Sequence, residues 1–369
     1  MKKKLLSVLL SVAVIFAFLP AVVYADHPDY GWDETHTHYY EDGVVQTGWS
    51  EEYDYYYYAD PAKGGAVATG WKKIGGSWYY FAPKEGESNG YYFEKGTMYC
   101  QGPMLVNGRY YYFGTGQNGQ KYGVMQTGWV KEVFDYDDGD GITETVVLWY
   151  YADPANDSRL AAGWKKIKGK WYYFDKAQDC VMLCNEVREI NKKLYVFDRN
   201  GALYEKAGWI DLYETWNDNG KKVKESWWVY SKKDGTATTG WKKISGTWYH
   251  FGKEGYMTSN DWAKDSKGWM WMGANGKAVK NRWIKWSVND GGDGEWYFIK
   301  SNGYMAAKAW VKDSHGWMWM GANGKITKNK WIKSGGYWYY LKADGYMATG
   351  KLTIDGKTYN FNSSGKWIP

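Results

Sequence analysis

Gly240-Trp241-Lys242-Lys243-Ile244-Ser245-Gly246-Thr247-Trp248-Tyr249-His250-Phe251 is the stretch on which the fold turns. Two strand-like runs flank Ser245-Gly246, and glycine there supplies the positive φ of a tight turn. The arrangement then repeats. Tryptophans stand at 241, 262, 283, 310 and 331, with gaps of 21, 21, 27 and 21 residues. Each is followed by a second aromatic cluster, opening at Trp248, Trp269, Trp296, Trp317 and Trp338. The long gap holds the turn-rich insert Asn289-Asp290-Gly291-Gly292-Asp293-Gly294. A fixed period near 20 residues is the mark of a repeat architecture. One such hairpin cannot bury enough apolar surface alone, so the expected fold is all-β, a solenoid of stacked β-hairpins.

The repeats come in two kinds. Those closing on Gly-Tyr-Met (255–257, 303–305, 345–347) alternate with those reading Gly-Trp-Met-Trp-Met-Gly-Ala-Asn-Gly-Lys (268–277, 316–325). The N-terminal half is less regular but duplicated. Gly-Trp recurs at Trp49, Trp129 and Trp209, and Tyr57–Ala62 returns as Tyr150–Ala155. Gly70–Ile74 with Trp78–Phe81 returns at Gly163–Ile167 with Trp171–Phe174. The expected organisation is therefore a leader over 1–25, a polar lead-in over 26–46 without set structure, divergent repeats over 47–238 and a regular array over 239–369.

The leader has a basic start, Lys2-Lys3-Lys4, an apolar run Leu5–Leu19 and a small-residue cleavage pattern at Val23-Tyr24-Ala25. That reads as a signal peptide, with a secreted protein and no membrane segment after cleavage. No sorting tail is read after the last repeat, so attachment to a surface is expected to be non-covalent. Removing three lysines leaves 44 basic against 41 acidic residues, a net charge of +3. The Lys-Lys pairs fall in hairpins and read as solvated edges, so no nucleic acid is expected as partner. Aromatics are the anomaly. With 26 Trp and 36 Tyr, the chain holds more rings than a core needs, and many are expected at a binding surface.

Rings converging on a small cavity offer their negative faces to a cation and shield its methyl groups from water. Quaternary ammonium suits such a cage, because it needs no hydrogen bonds. The run Thr239–Ile244, Trp248–Phe251 and Gly255-Tyr256-Met257 resembles the cell-wall-binding repeat of choline-binding proteins, as in pneumococcal autolysins and surface proteins. Related repeats occur in glucan-binding domains and clostridial toxins. The resemblance covers about 47–369 and is strongest over 239–350. It implies a left-handed superhelix with choline sites between consecutive repeats, each built from both tryptophans of one repeat, an aromatic of the next and often a methionine.

Carried over residue by residue, it places one cage at Trp241, Trp248, Trp271 and Met257, and another at Trp283, Trp296, Trp319 and Met305. Two more are implied at Trp262, Trp269 and Phe298, and at Trp310, Trp317 and Tyr340, with Ala278 and Ile326 at the methionine place. At Trp331 and Trp338 the third ring is expected to be missing, because Asn360 stands there. In the N-terminal block Trp71 with Trp78 and Trp164 with Trp171 keep two rings, and the third is left open.

Other chemistry is weakly signalled. Asp135–Ile142 has the wrong residues at the end positions of a calcium loop and reads as an acidic turn. His36 and His38 lie in the polar lead-in and read as no metal site. Cys100, Cys180 and Cys184 read as small hydrophobes, with a Cys180–Cys184 bridge as the other possibility. No catalytic constellation and no cofactor motif stands out. The sequence therefore implies a non-enzymatic protein of the bacterial cell surface that holds choline on teichoic acid or a related wall polymer. Stacking of the same rings on glucan or host glycan is the alternative.

Overall fold

The computed structural model describes residues 30–137, 143–218, 221–287 and 294–369; the leader and most of the acidic turn at 138–142 lie outside them. Nearly every described element is an antiparallel hairpin, as the alternation and turn residues imply. Gly240–Ile244 pairs with Thr247–Phe251, Asp261–Lys264 with Trp269–Met272, and Lys330–Ser334 with Tyr337–Leu341. Ser245 and Gly246 sit at φ 46° and 81°, the two left-handed residues a type I′ turn requires. In the Trp-Met-Trp-Met hairpins a longer turn is closed instead by Asp265, whose carboxylate accepts from the N–H groups of Lys267 and Gly268.

The chain forms two compact units: residues up to Arg188 with Phe197–Tyr204 and Tyr213–Glu225, and Glu189–Val196 with Glu205–Leu212 and Ser226–Pro369. Each has the same core. One residue per hairpin, at the end of its second strand, is almost wholly buried: Phe81, Phe113 and Phe174 in the first unit, Phe251, Met272, Ile299, Met320 and Leu341 in the second. These residues make a spine along each unit. The tryptophan of the preceding hairpin leans on it, as Trp71 does on Phe113 at 5.8 Å and Trp209 on Phe251 at 5.6 Å.

Glycine and methionine lock neighbouring hairpins together. Gly276 adopts φ 70°, and a Cβ there would stand 2.2 Å from the sulfur of Met257. Gly324 and Met305 repeat the contact, as do Gly365 and Met347. The regular glycine thus serves both the turn and the close approach.

Three expectations change. The lead-in carries a three-stranded sheet (Gly31–Trp32, Tyr39–Glu41, Val44–Val45), because Trp32 packs on Tyr57 at 4.8 Å and donates to Glu52. The first lysine of two Lys-Lys pairs is no solvated edge: Lys72 and Lys165 pair with buried Asp60 and Asp153. Those carboxylates also accept from Ala62 and Ala155, capping the short 3-10 turns of the duplicated Asp-Pro-Ala motif. The cysteines are free; Cys180 and Cys184 pack into different apolar clusters.

Candidate functional site

Strand register fixes which rings can meet. In each hairpin the counting tryptophan and the cluster tryptophan share a face, since Trp310 pairs across with Trp319 and Lys312 with Trp317. Trp310 and Trp317 stand 6.5 Å apart at 87°, two walls of a corner. The third wall comes from the next hairpin, where Tyr339 lies 4.9 Å from Trp310. The same three-sided corner is formed by Trp71, Trp78 and Tyr111, by Trp129, Trp149 and Tyr172, and by Trp209, Trp228 and Tyr249. In all four the tryptophans meet at 82–87° and the tyrosine ring lies 4.8–5.1 Å from the counting tryptophan. Such perpendicular walls leave an open corner faced by π-clouds. The outer wall is reachable: Trp78 is 42% and Trp317 41% exposed.

The third rings assigned from sequence are displaced by one residue. Trp271, Phe298, Trp319 and Tyr340 are the cross-strand partners of Trp262, Trp283, Trp310 and Trp331 within their own hairpins, at 5.1–5.3 Å. Successive side chains of a strand point to opposite faces, so a ring on its own tryptophan's face cannot also reach back to the previous hairpin. The residue before it does. Tyr297 therefore serves Trp262 at 5.1 Å, and Tyr339 serves Trp310.

The shift reverses the ranking of sites. Next to Trp241 and Trp283, the returning position holds Met270 and Met318 instead of a ring. Trp241 then has His250 at 4.9 Å and Trp283 has Phe298, while Trp248 and Trp296 stay exposed. His250 bonds Thr258, and burial lowers its pKa, so it opposes no cation at neutral pH. Trp262 gains an extra wall from Trp286, 6.3 Å away at 89°. Trp331 is not short of a partner either. Tyr359, beside Asn360, lies 5.0 Å from it, and Trp367 lies at 6.1 Å.

Methionines dock one site earlier than expected. The N–H of Met257 donates to the carbonyl of Trp228, that of Met305 to Trp269 and that of Met347 to Trp317. Met257 and Met305 thus accompany the corners of Trp209 and Trp262 rather than those of Trp241 and Trp283. Ala278 and Ile326 bridge within their own hairpins, to Met272 and Met320, and the Ile326 side chain also meets Gly345 of the next, 2.6 Å from a built Cβ. Sequence reasoning missed Trp129, Trp149, Trp209 and Trp228 as cage residues, although the Gly-Trp spacing marked Trp129 and Trp209.

The register has a direct test. Tyr339→Leu is expected to weaken quaternary-ammonium binding at the Trp310 corner by about 0.5–2 kcal/mol with little change in unfolding midpoint. Tyr340→Leu, on the other face, should leave that corner's affinity unchanged. Tryptophan fluorescence titrated with choline reads both; the reverse order of effects would restore the sequence-based pairing.

Comparison with known proteins bears on these corners. The family described as choline-binding repeat matches residues 325–367 and 161–207, and the putative cell wall binding repeat matches 69–86 and 239–257. Repeats of the choline-binding and cell-wall-binding kind are therefore present in both halves of the chain. Among solved structures, the modular autolysin LytC from Streptococcus pneumoniae is 26% identical, with 64% of this chain and 46% of that one covered, at a TM-score of 0.35. The chain thus spans about half of LytC. The choline-binding domain of CbpL from Streptococcus pneumoniae is also 26% identical, covering 57% and 98% at 0.35. CbpJ from Streptococcus pneumoniae TIGR4 is 24% identical, covering 92% and 99% at 0.31. No curated protein matches.

Proposed function

We propose that this chain is a non-enzymatic, secreted cell-surface protein that attaches to choline-bearing wall polymers through the corners between its hairpins. The observation that carries the reading is the recurrence of two perpendicular tryptophans closed by a tyrosine of the next hairpin, four times with nearly the same geometry. A trimethylammonium group fills such a corner with a methyl toward each ring. Each contact contributes about 0.5–2 kcal/mol, so a single site binds weakly. A row of sites facing one polymer gains strength through effective concentration.

Stacking on sugar rings favours flat, parallel platforms, which these perpendicular walls do not offer; that supports the cation over the glycan reading. The expected outcome is retention of the mature protein on a quaternary-amine resin at a salt concentration that releases a protein of equal charge, with elution by free choline. Elution by sodium chloride alone at the same ionic strength would reduce the interaction to charge exchange.

A further inference from the structure

The lysine two residues after the counting tryptophan occupies a special place. Trp-x-Lys recurs at Lys73, Lys131, Lys166, Lys243, Lys264, Lys285, Lys312 and Lys333, and register sets each lysine directly opposite the cluster tryptophan. In six of them, Lys73, Lys131, Lys166, Lys264, Lys312 and Lys333, the ammonium lies 5.5–6.0 Å from that ring's centre. Among the described residues none of the six has a carboxylate within ion-pair distance, whereas their neighbours Lys72 and Lys165 do. At Lys73, Lys131 and Lys312 that ring is the outer wall of a complete corner, and at Lys166 it stands 6.4 Å from Trp164 at 89°, so a positive charge is placed on a wall whose neighbouring faces suit a cation. For a bare cation that charge is repulsive. For a cation joined by a few bonds to an anion, the same charge is attractive.

One complete corner breaks the pattern. Two residues after Trp209 stands Asp211, whose carboxylate accepts from Ser226. Trp49 likewise has Glu51, placed opposite Tyr56. Trp209, Trp228 and Tyr249 have the same ring geometry as the lysine-bearing corners, with a carboxylate where those carry an ammonium; the Lys242 ammonium at this corner lies 5.2 Å from the ring of Tyr230.

We propose that Lys73, Lys131, Lys166, Lys264, Lys312 and Lys333 make their corners select a quaternary ammonium that carries its own phosphate over the bare cation, while Asp211 gives the Trp209 corner the opposite preference. The inference rests on the cation reading above and adds the specificity-determining residue. A protein-bound carboxylate pair would have neutralised the lysines; leaving them unpaired holds one charge ready for each ligand's anion. The chain then carries two classes of site for two states of the same headgroup.

The test compares choline with glycerophosphocholine, and with glycine betaine as the carboxylate arm, by calorimetry on the full mature chain. Wild type is expected to bind glycerophosphocholine about threefold or more tighter than choline, with the ratio shrinking as salt is raised. Replacing all six lysines by glutamine should bring the ratio to about one, mainly by tightening choline. Betaine following glycerophosphocholine would extend the class to any tethered anion, and betaine following choline would restrict it to phosphate. Should the sixfold variant melt early, Asp211→Lys alone carries the test: choline binding at its corner should weaken and glycerophosphocholine binding strengthen. An unchanged ratio in a folded variant overturns the lysine assignment. Failure of wild type to bind either ligand would instead remove the cation reading beneath it.

Discussion

Gly276→Ala is expected to cost the second unit about 2–5 kcal/mol. Two penalties add. An alanine at φ 70° costs about 1–2 kcal/mol, because its Cβ crowds the following carbonyl. Its Cβ would also stand 2.2 Å from the Met257 sulfur and 2.7 Å from its terminal methyl, which overpacks the joint by about 1–3 kcal/mol. The Met257 backbone is held, its N–H by the Trp228 carbonyl and its strand bridge by Phe251, so any relief has to come from the side chain leaving the joint. Gly246→Ala separates the two. Gly246 has φ 81° with nothing within 4 Å of a built Cβ, so only the conformational penalty of about 1–2 kcal/mol applies. Urea unfolding of both variants, with Met257→Ala added to the first, should show coupling at 276 alone. Equal losses at 246 and 276 would show that the methionine joint carries no load.

The second large effect is at Trp71. Its ring lies 5.1 Å from Tyr80, 4.8 Å from Tyr111 and 5.8 Å from Phe113, against the cluster that also buries Met104 and Phe93. Trp71→Ala removes that support and opens a hole, at a cost of about 3 kcal/mol, the low end for tryptophan because the ring is only half buried. It also abolishes the corner. Trp78→Ala should abolish the corner equally at a stability cost of only about 0.5 kcal/mol. Trp78 is 42% exposed, and the carbonyl that receives Met125 remains in the variant. Calorimetric melting beside choline titration distinguishes the two roles: Trp71 holds both fold and site, Trp78 the site. A large melting loss for Trp78→Ala would mean that the outer wall is part of the core.

The contrast explains what the sequence could and could not disclose. Spacing of tryptophans and turn glycines gave five hairpins of the regular array and their order, because both signals are local; the sixth, Gly350–Ile354 with Lys357–Phe361, has no counting tryptophan. Pairing a ring with its neighbour across a hairpin interface is not local. It depends on which strand face turns toward the previous hairpin, and one residue separates Tyr339 from Tyr340. The resemblance assigned the third wall to the other face, so the cages placed at Trp241 and Trp283 are those where Met270 and Met318 hold the returning position. Trp286 and Trp367 escaped for a different reason. Both stand outside the 21-residue count, one beside the insert and one at the place other repeats give to methionine.

The divergent half held the reverse lesson. Complete corners at Trp71, Trp129 and Trp209 escaped because the returning wall is a tyrosine, Tyr111, Tyr172 or Tyr249, whose partner lies in the previous hairpin rather than in its own repeat. A rule follows for chains of this kind. The residue two before the buried spine residue is the returning wall, as Tyr111 is to Phe113 and Tyr249 to Phe251. Applied to Phe361 it picks Tyr359, which the structure places 5.0 Å from Trp331.

The most direct test of the cation corners is a paired titration of tryptophan fluorescence and melting temperature with choline and with dimethylbutanol, its neutral tert-butyl analogue. The two ligands share shape and apolar area and differ in charge. Three π-faces at about 0.5–2 kcal/mol each predict that choline binds about tenfold or more tighter and raises the melting temperature at concentrations where the neutral analogue does not. Equal affinity for the two would contradict the account, leaving the corners as plain apolar notches between hairpins.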